Sequence, residues 1–314
     1  MKLLLVLFLL ASSLLAKTLT PAKEIEMGGN ALDIKIIDNI LYAGTDEGTL
    51  EVYDIKNDKH KENITLKPIH DFMGDVIQPK IYAIDIEGDK KLLLAEGEKG
   101  SRELYINENN TTTKVISAKD RLIMQKAKFV DETHLFLGLL SNEIILYDLK
   151  NKKQLYLTQL SGSKFSDFAL NEDKTQAVIA CESGINYLVD VQSGKIVKKF
   201  DKNKDNVFKV DFKNGKIASA GQDRFAIVYD IKNGSHQSFK APFLIYATGL
   251  NKAANLAAFS FGLDNEIAVF DLEKNSQKFL LKGQKSTLNS IVFYDDSTIY
   301  SGSDDKFIIK WELK

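Results

Sequence analysis

Acidic residues recur along this 314-residue chain at nearly equal steps: Asp148, Asp190, Asp230, Asp271 and Glu312 are separated by 42, 40, 41 and 41 residues. A sustained period of that length constrains architecture more than composition does, because each unit must be one supersecondary element that buries its apolar face against its neighbours. Asn107 holds the same place 41 residues before Asp148, and Asp54 lies 53 residues before Asn107, which makes seven units. An aromatic precedes the acid in Tyr53-Asp54, Tyr147-Asp148, Tyr229-Asp230, Phe270-Asp271 and Trp311-Glu312, and Val189-Asp190 keeps the acid alone.

The last unit, Ser301-Gly-Ser-Asp-Asp-Lys-Phe-Ile-Ile-Lys-Trp-Glu312, reads as a polar turn between strands. Gly221-Gln-Asp-Arg-Phe-Ala-Ile-Val-Tyr-Asp230 repeats it: Asp223 precedes Tyr229 by the same six residues that separate Asp305 from Trp311. Four short strands per unit at this period are those of propeller blades. The chain resembles the WD40 repeat proteins, with Trp311-Glu312 where that family has Trp-Asp. The resemblance implies an all-β, seven-bladed WD40-like β-propeller in which the turn acids Asp223 and Asp305 are structural. The sequence departs from the family in having one Trp, no Gly-His pair, and four His that do not recur at the period. The Asp-His-Ser/Thr-Trp network of typical blades is therefore not expected.

Residues 1–16 carry Lys2, an apolar run from Leu3 to Leu10 and a small residue at Ala16, the pattern of a secretory signal that leaves no membrane span once removed. Residues 17–314 then form the propeller. The seventh unit supplies only three strands, so a strand from residues 17–28, where Ala22-Lys-Glu-Ile-Glu-Met27 alternates, is expected to complete the last blade and close the ring.

The formal net charge is −1 with both signs dispersed, which excludes a dedicated nucleic-acid or anionic-membrane binder. The single Cys181 lies in an apolar run and reads as a buried thiol, leaving an exported fold without internal disulfides. No Cys-x-x-Cys-His, phosphate-binding Gly-rich loop or Gly-x-Ser-x-Gly elbow occurs, and the His are scattered. No catalytic residue, cofactor or metal is expected, and acids with His are not expected to converge at the channel-lining strands.

In such a propeller the blade-joining loops share a face with the turns between second and third strands. Lys119, Arg121, Lys164, Lys202, Lys204, Lys240 and Lys285 fall in the joining loops, and Asp46, Glu47, Glu143, Glu182, Asp264 and Asp304 in the turns. A mixed-sign face of this kind suits protein docking. His70 to Lys80 is extra chain between the first two units, and its Phe72 and Met73 are either folded onto their own blade or presented to a partner. Glu108-Asn-Asn110-Thr-Thr112 is a glycosylation acceptor at Asn110. Over its whole length the chain resembles the NapL family, WD40-like periplasmic accessory proteins of nitrate-respiring bacteria. That resemblance implies a monomeric, non-enzymatic protein binding a subunit of the periplasmic nitrate reductase system, in maturation or electron supply. Two other readings stay open: an envelope scaffold, as in outer-membrane protein assembly, and a propeller enzyme such as a lactonase or quinone-dependent dehydrogenase.

Overall fold

The computed structural model describes residues 16–314; the signal reading of residues 1–16 falls almost entirely outside them. Seven antiparallel sheets follow one another along the chain, with first strands Ala31–Ile37, Ile81–Glu87, Met124–Phe129, Phe165–Leu170, Val207–Lys213, Thr248–Leu250 and Leu288–Asp295. Each first strand packs against the next, and all seven line one central cavity. The architecture is a seven-bladed β-propeller.

Its core is not one cluster but seven layers between adjacent blades, because second and third strands are apolar on both faces and can be dried only by a neighbouring sheet. Blades stack closely enough that a Cβ at Gly138 would come within 2.4 Å of the Phe165 ring in the next blade. The layer between the first two blades is the thinnest, with Leu50, Leu66, Ile81, Ile84, Leu93 and Ala95 as its buried members. Cys181 is buried in the layer between the third and fourth blades.

Closure takes two strands. Lys23–Glu26 pairs antiparallel with Phe307–Glu312 and completes the seventh blade, burying Ile25 and Met27. The expectation that residues 17–28 serve the last blade alone is corrected: Lys17–Leu19 pairs in parallel with Ser276–Leu281 and adds a fifth strand to the sixth blade. Pro21, which has no N–H for a ladder, lies between the two strands where the chain steps across.

The absence of Gly-His does not abolish the bracing network; an amide replaces the imidazole. In the seventh blade Trp311 Nε1 donates to Ser301 Oγ at 2.8 Å, Ser301 Oγ donates to Gln284 Oε1 at 2.7 Å, and Gln284 Nε2 donates to Ser303 Oγ. In the fifth, Ser219 Oγ donates to Asn203 Oδ1 at 2.7 Å and Asn203 Nδ2 reaches the Asp223 carboxylate. Asp223 also accepts the Lys204 and Phe225 N–H groups, and Asp305 accepts that of Phe307. Gln284→Ala would strand two buried hydroxyls, so a loss of about 2 kcal/mol is expected. Gln284→His should retain most of the stability, and denaturant melts of the two variants check both.

Candidate functional site

Six of the seven first strands carry a β-bulge at the same place, one residue from their start: at Leu32, Tyr82, Gln125, Ser166, Phe208 and Asn289. A bulge turns one side chain out of the pleat. Here that residue reaches the loop-bearing face: Arg102 stacks its guanidinium 3.9 Å above the Tyr82 ring, Ser166 Oγ donates to Asn206, and Asn289 Nδ2 donates to Asp304. Phe208 stacks on Tyr246, with Phe243 at the edge of the same cluster. All six bulge residues are half-buried, so this mouth of the channel presents a ring of partly exposed side chains containing three aromatics, Tyr82, Phe208 and Tyr246.

The insertion between the first two blades is a small hairpin, Ile69–His70 paired with Val76–Ile77. Asp71 Oδ1 accepts the Met73 and Asp75 N–H groups, which holds the turn. Phe72 and Met73 at its tip are 83% and 84% exposed, so they are not folded onto their own blade.

The basic candidates stand on the same face. Lys119 lies in the short 3₁₀ turn Ala118–Asp120, capped by Ser117, and Arg121 follows it with left-handed backbone. Lys119, Arg121 and Lys164 are exposed and, among the described residues, enter no ion pair. Lys204 Nζ donates to the Asp201 carbonyl and Lys202 lies 3.9 Å from the Asp201 carboxylate. Lys285 is engaged with Glu24 at 2.9 Å and sits over the Phe307 ring. Asn110 is exposed in the turn Asn109-Asn110 on the opposite face, both residues left-handed.

The channel beneath, a cavity of about 420 Å³, gathers acids that the sequence reading did not place together. Asp33, Asp85, Asp167 and Asp211 project from four first strands, and each accepts a backbone N–H of the next blade: Ile84 at 2.9 Å, Phe129 at 2.8 Å, Val210 at 3.1 Å and Leu250 at 2.8 Å. Lysines complete the lattice. Lys35 bonds Asp85, Lys126 bonds Asp167 at 2.6 Å, and Lys128 donates to the Ile84 carbonyl while facing Asp33 and Asp85. Burial opposes ionisation of Asp85 and Asp167, yet the facing lysines and donated hydrogen bonds outweigh it and hold both below the usual carboxylate range. Asp85 and Asp167 are thus charged staples, each tied to a lysine of the preceding blade and a backbone N–H of the following one. No His joins them, and no group of three His, Cys, Asp or Glu side chains among the described residues is placed to hold a metal ion. Sequence reading missed the lattice because its acids share no one position: they alternate between two levels of the strand. The bulge that sets those levels is invisible in spacing alone.

Comparisons with known proteins agree on the fold. No family model matches the chain, and no curated protein is similar enough to count as a relative. Many solved structures do match. One is the β-propeller domain of Cps50 (Swd1) from Myceliophteria thermophila, with a TM-score of 0.76 over 94% of this chain and 99% of that one, at 11% identity. The fold is that of a seven-bladed β-propeller. At that identity the likeness speaks for the backbone and not for what is bound. Among the described residues no helix is long and apolar enough to cross a membrane.

Proposed function

We propose that this propeller is an exported, periplasmic and non-enzymatic accessory protein that binds a protein of the periplasmic nitrate reductase system. The observation that carries a binding role is the hairpin tip: Phe72 and Met73 are large, apolar and exposed on a turn held by Asp71. Isolated surface apolar residues need no explanation, but two adjacent ones on an ordered protrusion have the form of an interface anchor. The aromatic mouth and the free Lys119, Arg121 and Lys164 lie on the same face and extend the surface a partner could cover. The choice of partner rests on the whole-chain resemblance to the NapL family and on the export-type leader. A non-enzymatic role is supported by the buried channel carboxylates Asp85 and Asp167, each already engaged by a lysine and a backbone N–H.

Tagged protein captured from the periplasm of nitrate-grown cells should bring down the reductase catalytic subunit or its cytochrome partners. Losing two buried anchors costs on the order of 3–6 kcal/mol, so Phe72→Ser with Met73→Ser should reduce recovery at least tenfold without lowering the melting temperature. Recovery of outer-membrane assembly proteins by wild type would favour the envelope-scaffold reading instead.

A further inference from the structure

The repeat pattern breaks twice at one place outside the loop-bearing face. Every other blade ends its third strand with an acid, and in five of them that acid caps the following turn: Asp54, Asp148, Asp190, Asp230 and Asp271 each accept N–H groups from residues two or three further on. The second blade has Asn107 there. Its Nδ2 donates to Thr112 Oγ1 at 2.9 Å, while its Oδ1, on a side chain only 3% exposed, has no donor. The amide thus holds its turn through Thr112 without the negative charge that the other blades carry at this place.

The second break lies opposite. The outer strand of the first blade is split into Lys59–His60 and Ile64–Thr65, and between them Asn63 Oδ1, rather than a backbone carbonyl, accepts the Val52 N–H at 3.1 Å. The two breaks face one groove of about 700 Å³, floored by Ile40, Tyr42 and Val52 and rimmed by Lys59, Lys61 and Lys91, with Asn107 and Asn110 on the far wall. It opens where the interblade core is thinnest. Glu62 is the only acid among its lining residues.

We infer that this groove binds an anionic saccharide, a sugar carrying a carboxylate or a phosphate. With Asn107 in place of the capping acid the groove lacks that negative charge, and Asn110 and Thr112 line it with polar groups that sugar hydroxyls can meet. The half-buried Tyr42 and the aliphatic floor suit the apolar face of a sugar ring; Lys61 is engaged by Asp54, while Lys59 and Lys91, which enter no ion pair among the described residues, suit one negative charge. An extended peptide is disfavoured because the interrupted strand offers no continuous ladder edge for a chain to join. The groove is separate from the partner-binding face, so this inference stands or falls independently of the accessory role.

Calorimetric titration of the chain with sodium glucuronate, with glucose 6-phosphate, and with glucose as the uncharged control tests it. Saturable binding of at least one anionic probe is expected, with glucose weaker by roughly tenfold or more, and the better probe identifies the acid group. Asn107→Asp restores the acid that the other blades carry and keeps the donor Thr112 in reach, so the fold should melt as wild type. Its new charge should weaken the anionic probe at least tenfold, as should Lys59→Ala combined with Lys91→Ala. The inference is overturned if neither anion shows saturable binding up to about 10 mM, a weak-site affinity, which would mean that water alone occupies the groove, or if Asn107→Asp leaves the affinity unchanged, which would place the bound probe elsewhere on the surface.

Discussion

A chain beginning at residue 29 is expected to melt on the order of 10 °C below one beginning at residue 17. Removing residues 17–28 strips the outer strand from the seventh blade and the added strand from the sixth, and it exposes the surface that Ile25 and Met27 cover. Full burial of those two side chains alone is worth about 3–6 kcal/mol. The truncation also removes a bridge between blades: Lys23 pairs with Asp58 and donates to Tyr53 of the first blade, and both contacts leave with the segment. Differential scanning calorimetry of the two chains decides the matter. Equal melting temperatures would mean that the three remaining strands hold the seventh blade unaided, and two-stage unfolding would identify that blade as the first to open.

The second large effect belongs to the channel. Asp167→Ala should destabilise the protein by about 3–5 kcal/mol, because it leaves Lys126 as an unpaired charge in a confined space. It also removes the acceptor of the Val210 N–H, and Asp167 is itself buried. Asp167→Leu combined with Lys126→Met should recover part of the loss, since an apolar pair removes the stranded charge while Val210 remains unpaired. The pH dependence has a definite sign. The Asp167 carboxyl is held below its ordinary value of 3.8, so its contribution is full above that value and is lost as pH falls through the folded-state value. Lys126 is raised above 10.5 because the neighbouring acids outweigh its burial, so its contribution is full below 10.5 and is lost as pH rises further. Wild-type stability should therefore be flat through neutrality and fall steeply in acid, and Asp167→Ala should show a shallower acid limb. Urea melts between acid and neutral pH measure this, and an Asp167→Ala midpoint equal to wild type would show that solvent in the channel screens the pair.

The repeat count, the blade number and the closing role of residues 22–27 could be read from the chain because each depends on local pattern: acids every 40 to 42 residues, alternation in Ala22 to Met27, and a seventh unit one strand short. Phe72 and Met73 were visible for the same reason, as apolar residues in extra chain that no strand required. The short strand Lys17–Leu19 was not, since three residues carry too little alternation to name a neighbour, and its parallel partner lies some 260 residues away.

The bracing network and the channel lattice also escaped, for a different reason. Asn203 and Gln284 do the hydrogen bonding expected of a His, and nothing in their spelling announces it until Ser219 and Ser301 are seen within reach. The four channel acids sit at unequal intervals because the insertion lengthens one step and the acids occupy two levels of the strand. Only the ring, which curls seven first strands around one axis, brings them together. Strand and turn identity follow from neighbours along the chain, so the sequence alone determined a seven-unit all-β array. Which charges meet, which grooves stay open and which apolar residues remain uncovered depend on how separate blades stack, and only the tertiary structure decided those.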